Sequence, residues 1–390
     1  MALSLPIFLD NHSTTRVDPQ VLDAMLPWLT HRFGNASSKS HVFGLESSAA
    51  TTHARRQVAA LIGAEEREII FTSGATESVN LALKGVSEGA SGKKNHIVTV
   101  ATEHHAVLDT CARLAAYGFD VTTLPVDHAG HVDPDDVRAA ITGNTIVVSV
   151  MLANNEIGTI APIAEIGVIC REAGVLFHTD ATQAAGRVPI DVVRLHVDLL
   201  SVSAHKMYGP QGVGALFVRN GIPLQTVRPQ IDGGGQERGF RSGTLNVPGI
   251  VGLGKAAEVA AGEMHGEMTR TGQLRDALVD GIMTALDGVA INGDAEHRLP
   301  NNANLRFEGV RADAVMMRMK DVAVSSGSAC SSASPAPSHV LRALGLDDDQ
   351  VLSSLRFGLG RFTTEEEISH AIERVTGVVQ ELRIHQYSHA

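Results

Sequence analysis

Lys206 stands in the run Ser203-Ala204-His205-Lys206-Met207-Tyr208-Gly209-Pro210, a short way after Asp180-Ala181-Thr182-Gln183. A lysine and an upstream aspartate arranged in this way are what pyridoxal 5'-phosphate (PLP) chemistry requires. The lysine must shed a proton to attack an aldehyde, so a partly desolvated pocket near other positive charge suits it. The aspartate supplies a negative partner that keeps the pyridine nitrogen protonated and the ring an electron sink. Asp180 follows the apolar run Val175-Leu176-Phe177-His178 and fits that part, while Ser203 and His205 can hold the phosphate. A lone lysine after an apolar strand is usually a solvated loop residue. Asp180, Gln183, Ser203 and His205 lie with it just beyond apolar runs, where open α/β sheets bind ligands, and this weighs against the bland reading.

The elements that must position these residues alternate along the chain. Apolar runs at Glu68 to Thr72, Ile97 to Ala101, Val121 to Leu124, Ile146 to Met151, Val175 to His178, Leu199 to Val202 and Gly214 to Val218 read as strands, with helical patterns between them. That predicts an α/β domain with a mostly parallel, helix-covered, seven-stranded sheet. Near Pro248 the pattern changes to a long helical stretch through Ala285, then to Ala303–Phe307, Val322–Ser325 and Leu355–Gly358 separated by helices. The expected division is a large domain over 15–258 and a smaller α+β domain made of 1–14 and 259–390. Thr72-Ser73-Gly74-Ala75-Thr76-Glu77-Ser78 follows a strand and opens a helix, so its N–H groups and the Thr76 hydroxyl could hold an anion. An ordinary N-cap by Ser73 or Thr76 is the alternative.

With 390 residues, 44% hydrophobic and 19% charged, the composition is that of a globular enzyme rather than a disordered chain. The net charge of -11 argues against a general nucleic-acid surface. No apolar segment approaches spanning length, and Met1 to Asp10 lacks the basic start and cleavage site of an export signal, so a cytoplasmic location without membrane contact is expected. The 3 cysteines, Cys111, Cys170 and Cys330, are too scattered for a disulfide framework or a four-ligand metal site, and no metal is expected. Cys111 and Cys170 fall in helical patterns with apolar spacing and read as core. Cys330 lies in Ser325-Ser326-Gly327-Ser328-Ala329-Cys330-Ser331-Ser332-Ala333-Ser334-Pro335-Ala336-Pro337, which reads as a mobile, exposed loop.

These pieces together resemble the cysteine desulfurases of NifS/IscS-like type, PLP-dependent enzymes of fold type I in the class V aminotransferase group. The resemblance runs nearly end to end: Leu9-Asp10-Asn11-His12-Ser13-Thr14-Thr15, Ser73 to Asn80, Thr102-Glu103-His104, Asn154-Asn155-Glu156-Ile157-Gly158, Thr179 to Gln183, His205-Lys206, Arg241-Ser242-Gly243-Thr244, Ser325 to Cys330 and Leu355 to Thr363. It implies that Lys206 forms the Schiff base, Asp180 pairs with the pyridine nitrogen and Gln183 bonds the ring hydroxyl. Ala75, Thr76, Ser203 and His205 would bind the phosphate, and Asn155 would touch cofactor and substrate. His104 would stack on the ring and help move protons, which suits a histidine near neutral pH. Arg356 would bind the substrate carboxylate with its guanidinium fork, whereas an ordinary surface ion pair is the expected role of Arg361. Thr244 would reach a phosphate across a homodimer; its glycine-rich neighbourhood, Asp232 to Gly239, otherwise reads as a surface loop.

The implied reaction converts L-cysteine to L-alanine, with the Cys330 thiolate taking the sulfur as a persulfide for delivery to an iron–sulfur or thiolation pathway. A selenocysteine lyase or a small-amino-acid aminotransferase of the same fold is the nearest rival, although an aminotransferase has no use for Cys330. An assembly platform that only binds partners is a reading from a different class, and the presence of both the lysine and the cysteine weighs against it. The family often has glycine at Ala204 and lysine at His105. The final run, Val378 to Ala390, is shorter than the tail with which housekeeping members engage an iron–sulfur scaffold protein, which leaves the sulfur acceptor unidentified.

Overall fold

A computed structural model describes residues 3–90, 92–327 and 337–387. Its strands along the chain are β1 (Ile7–Phe8), β2 (Ile69–Thr72), β3 (His96–Val100), β4 (Asp120–Leu124), β5 (Thr145–Ser149), β6 (Leu176–Asp180), β7 (Leu199–Ser203), β8 (Gly214–Val218), β9 (Val289–Ile291), β10 (Asn302–Phe307), β11 (Val322–Ala323) and β12 (Ser354–Gly358). The strands β2 to β8 form one seven-stranded sheet in the order β2-β8-β7-β6-β5-β3-β4. Every pair is parallel except the two made by β8, which runs against β7 and β2. β3, β5, β7 and β8 are buried over their whole length, as strands covered on both faces must be, and only the edge strand β4 is largely open. The mostly parallel sheet expected from the apolar runs is therefore the one observed.

Two histidines lie inside this sheet as side-chain rungs. His178 on β6 bonds the hydroxyls of Ser149 on β5 (2.8 Å) and Ser201 on β7 (3.0 Å), and His96 on β3 bonds Thr145 (2.8 Å) and Thr122 (2.9 Å). Burial keeps the His178 imidazole neutral, lowering its pKa to about 4. The unfolded chain restores it to about 6.5, so between those limits the unfolded state binds the extra proton. Stability is then fully present above about pH 6.5 and is lost as the pH falls toward 4, by on the order of 2–3 kcal/mol from this residue. Urea unfolding across that range should show the loss, and His178→Asn should flatten it. An unaltered slope in the variant would assign the pH dependence elsewhere.

The second layer of structure is smaller. β12, β10 and β9 form an antiparallel sheet in that order, and β1 pairs in parallel with β11. β1 and β9 were not among the expected strands; at two and three residues they are too short to show a period. The two largest apolar clusters lie one around Phe71, Phe177 and Phe217 of the large sheet and the other around Leu305, Phe307 and Phe357 of the small one. The 39-residue helix Val247–Ala285 serves both, giving Ile250, Leu253 and Ala257 to the first and Leu274, Leu278 and Ile282 to the second. Asn246 caps it by accepting from Gly249 N, and Pro248 sits in the first turn, where its missing N–H costs nothing. Gly254 lets this helix approach the helix Val42–Ile62 closely: a Cβ there would fall 2.6 Å from Ala54 Cα.

The N-terminal segment crosses from one sheet to the other. Gly358 N bonds Leu9 O (2.7 Å) and Asn11 N bonds Gly358 O (3.0 Å), after which Thr15 N bonds His205 O (2.9 Å) and Asp18 N bonds Tyr208 O (2.9 Å). This path lays Asp10 to Ser13 between β12 and the Lys206 turn.

Candidate active site

The carboxyl ends of β2, β3, β5, β6 and β7 open on one cavity of about 360 Å³, the position where doubly wound sheets take ligands. Ser73 to Glu77 enter it from β2 and the start of the helix Ala75–Ala90, His104 from the turn after β3, and Met151, Ala153 and Asn155 from the segment after β5. Asp180, Thr182 and Gln183 arrive from β6, and Ser203, His205 and Lys206 from β7. Arg356 on β12 and His12 and Ser13 of the N-terminal segment close the wall. Of the residues expected from the sequence, Ala75, Thr76, His104, Asn155, Asp180, Gln183, Ser203, His205, Lys206 and Arg356 all line this cavity. Thr244 does not; it is exposed and away from the wall of its own chain. Cys330, with the loop expected around it, lies outside the described residues.

Lys206 ends a short 3-10 turn, Ala204–Lys206, and its Nζ donates to the carbonyls of His12 and Ser13, the latter at 2.7 Å. Its own carbonyl accepts from Arg187 Nη2 at 3.0 Å. Asp180 is buried and accepts from Thr182 N at 2.9 Å. His104 caps the helix His105–Ala115 by accepting Ala106 N on Nδ1 at 3.0 Å, which places the proton of the neutral ring on Nε2. Behind it Glu103 is fully buried and accepts from Met151 N at 2.6 Å; burial and the nearby Asp180 raise its pKa well above the usual carboxylate value. Burial and the neighbouring Lys206 lower the His205 pKa to about 4, with Nδ1 at 3.0 Å from Thr14 Oγ1.

This donor set fits PLP. The first turn of the helix Ala75–Ala90 faces the cavity beside Ser203 and His205, which suits a phosphate. In the same wall Asn155 Oδ1 and Thr182 Oγ1 are buried without a protein partner, as polar atoms awaiting a ligand are.

Three residues have roles that the sequence did not disclose. Asp10 holds Arg356 through a 2.7 Å ion pair, while Arg356 Nη1 donates to Asn155 O at 2.9 Å, so the buried guanidinium is fixed by groups from two other segments. His12 is buried against Gln183. Both occur in the Leu9–Thr15 block that carried part of the resemblance, and that block was the available signal. Arg361 departs from the expected surface pair: its side chain is 10% exposed and bonds Glu267 (2.8 Å) and Asp18 (2.8 Å), with its carbon 4.4 Å from the Tyr208 ring centroid. A buried guanidinium needs this much compensation, and its carboxylates come from distant parts of the chain. The loop expected at Asp232–Gly239 is likewise anchored, since Glu237 is buried and takes Arg55 at 2.6 and 2.7 Å and Phe71 N at 2.7 Å.

Among the described residues no helix is long and apolar enough to cross a membrane, and no group of three or more His, Cys, Asp or Glu side chains could hold a metal ion. The family model "Aminotransferase class-V" matches residues 7–370. Cysteine desulfurase IscS of Anaeromyxobacter dehalogenans is 55% identical over 381 residues, covering 98% of this chain and 94% of that protein. The cysteine desulfurase of Homo sapiens is 52% identical over 378 residues, covering 97% and 82%. Among solved structures, a NifS-like protein superposes with a TM-score of 0.90 at 37% identity, covering 96% of this chain and 100% of that one. SspA in complex with cysteine superposes with a TM-score of 0.82 at 36% identity, covering 92% and 100%. With the cavity built from the residues expected of that family and this likeness along almost its whole length, the chain belongs to the cysteine desulfurases of the class-V aminotransferase family.

Proposed function

We propose that this chain is a PLP-dependent desulfurase that converts L-cysteine to L-alanine and passes the sulfur, as a persulfide on Cys330, to an acceptor. The observation that carries this reading is the meeting of Lys206, Asp180, Gln183, His104 and Arg356 in one cavity. Relatives named cysteine desulfurase and a related structure described as holding cysteine support the substrate. When bound, PLP would supply an electron sink for the substrate Cα.

The protein's part is placement and proton transfer. Asp180 would hold the pyridine nitrogen, Gln183 the ring hydroxyl, and Ala75, Thr76, Ser203 and His205 the phosphate. Lys206 would carry the cofactor and, once displaced by the substrate amine, move the Cα proton on Nζ. Arg356, already fixed by Asp10 and Asn155 O, would take the substrate carboxylate without having to reorganise. His104 would exchange protons through Nε2. We place Thr244 at a phosphate of a second copy in a homodimer, and exposed apolar side chains such as Leu22, Leu26, Leu29 and Phe33 are surface that such a dimer could cover. The reading also keeps the division into 15–258 and 1–14 with 259–390, and a cytoplasmic location.

The test is the product balance of the PLP-loaded protein given L-cysteine and a reductant. Equal amounts of alanine and sulfide are expected. A keto acid without sulfide would establish an aminotransferase, and turnover restricted to selenocysteine would establish a lyase.

A further inference from the structure

We propose that His12 is a positioning residue for the cofactor: it grips Gln183 from both sides and presents the remaining amide N–H of Gln183 to the cavity. The geometry fixes each atom. Gln183 Nε2 donates to the backbone carbonyl of His12 at 2.9 Å, so Gln183 Oε1 must be the atom that faces His12 Nδ1 at 3.0 Å. Oε1 is an acceptor only, so Nδ1 carries the imidazole proton. Two hydrogen bonds then hold one amide in one orientation, with its second N–H left for a ligand. Without the Nδ1–H contact the amide could turn about its last side-chain bond.

The imidazole is itself immobilised. It is 1% exposed, and a Cβ at Gly358 would meet its Cδ2 at 2.8 Å, so the ring is packed on the strand that carries Arg356, two residues from that arginine. Burial, then the nearby Arg356 and Arg187 charges, hold His12 well below the ordinary histidine range. These surroundings favour the neutral ring, the form that donates through Nδ1. Its backbone carbonyl also accepts from Lys206 Nζ, so a single residue touches both the amide and the amine of the site.

This inference rests on the reading that the cavity takes PLP. Asparagine at position 12 can place an N–H at the same distance along the side chain as histidine Nδ1, whereas leucine has the same branched shape and no donor. Apo protein is titrated with PLP, and the pH midpoint of the visible band is then measured without substrate. His12→Leu is expected to weaken PLP binding roughly ten-fold, the value of about one hydrogen bond, and to shift the midpoint, while His12→Asn stays within about two-fold of the parent. Leu and Asn variants that behave alike, or an Asn variant that loses binding, would overturn the assignment. A parent protein that forms no PLP band would overturn the PLP reading along with it; a parent band unaffected by His12→Leu would overturn only the role of His12.

Discussion

Lys206→Ala is expected to lower turnover of L-cysteine by at least roughly ten-thousand-fold while the protein stays folded and still takes up PLP, without a covalent link. Lys206 Nζ lies at the carboxyl end of β7 in the same cavity as Asp180 and Gln183, and no other lysine stands among the residues that line it. A second amine able to replace it is therefore missing from the wall. The Arg187 contact uses the Lys206 carbonyl and survives truncation, which removes the side chain's bonds to the His12 and Ser13 carbonyls. The checks are borohydride fixation of the cofactor followed by mass analysis, and the visible spectrum. Fixation that persists in the alanine variant, or a spectrum identical to the parent, would refute the assignment.

Cys330→Ala is expected to abolish sulfide release to background while the visible band of the bound cofactor is unchanged. In the proposed reaction a thiolate would attack the substrate sulfur, the Cβ–S bond would break with its electron pair going to the alanine carbon, and an S–S bond would form on the enzyme. Neither of the other two cysteines can serve. Cys111, in the helix His105–Ala115, and Cys170, in the helix Ile163–Ala173, are both buried, and burial raises each thiol to about 12, so neither is ionised at neutral pH. Sulfide and alanine formation with both single variants, Cys111→Ala and Cys330→Ala, serves as the comparison. Full turnover by the Cys330 variant would exclude it as the sulfur acceptor.

What could be read without coordinates had a local signature. Asp180, Ser203 and Lys206 each lie shortly after an apolar run, and a strand's end is visible in the order of neighbouring residues. The cores of Cys111 and Cys170 were legible for the same reason, through helical spacing of apolar residues a few positions apart. The long helix over Val247–Ala285 announced itself by its uninterrupted pattern and the proline at its start.

What was not legible lies in contacts between residues far apart in the chain. His12 and Gln183 are separated by 171 positions, Asp10 and Arg356 by 346, and Arg361 and Asp18 by 343. No pattern in the neighbourhood of Arg361 distinguishes a buried guanidinium between two carboxylates from a surface arginine. The sequence by itself determined the strands of a mostly parallel sheet and the positions of Asp180 and Lys206 near their ends, because strand position is set by local propensity and the burial of nearby side chains. Only the tertiary structure decided which polar groups fix them, because those partners meet only after the N-terminal segment has been laid across both sheets, and a buried charge takes whichever partner the packing brings within reach.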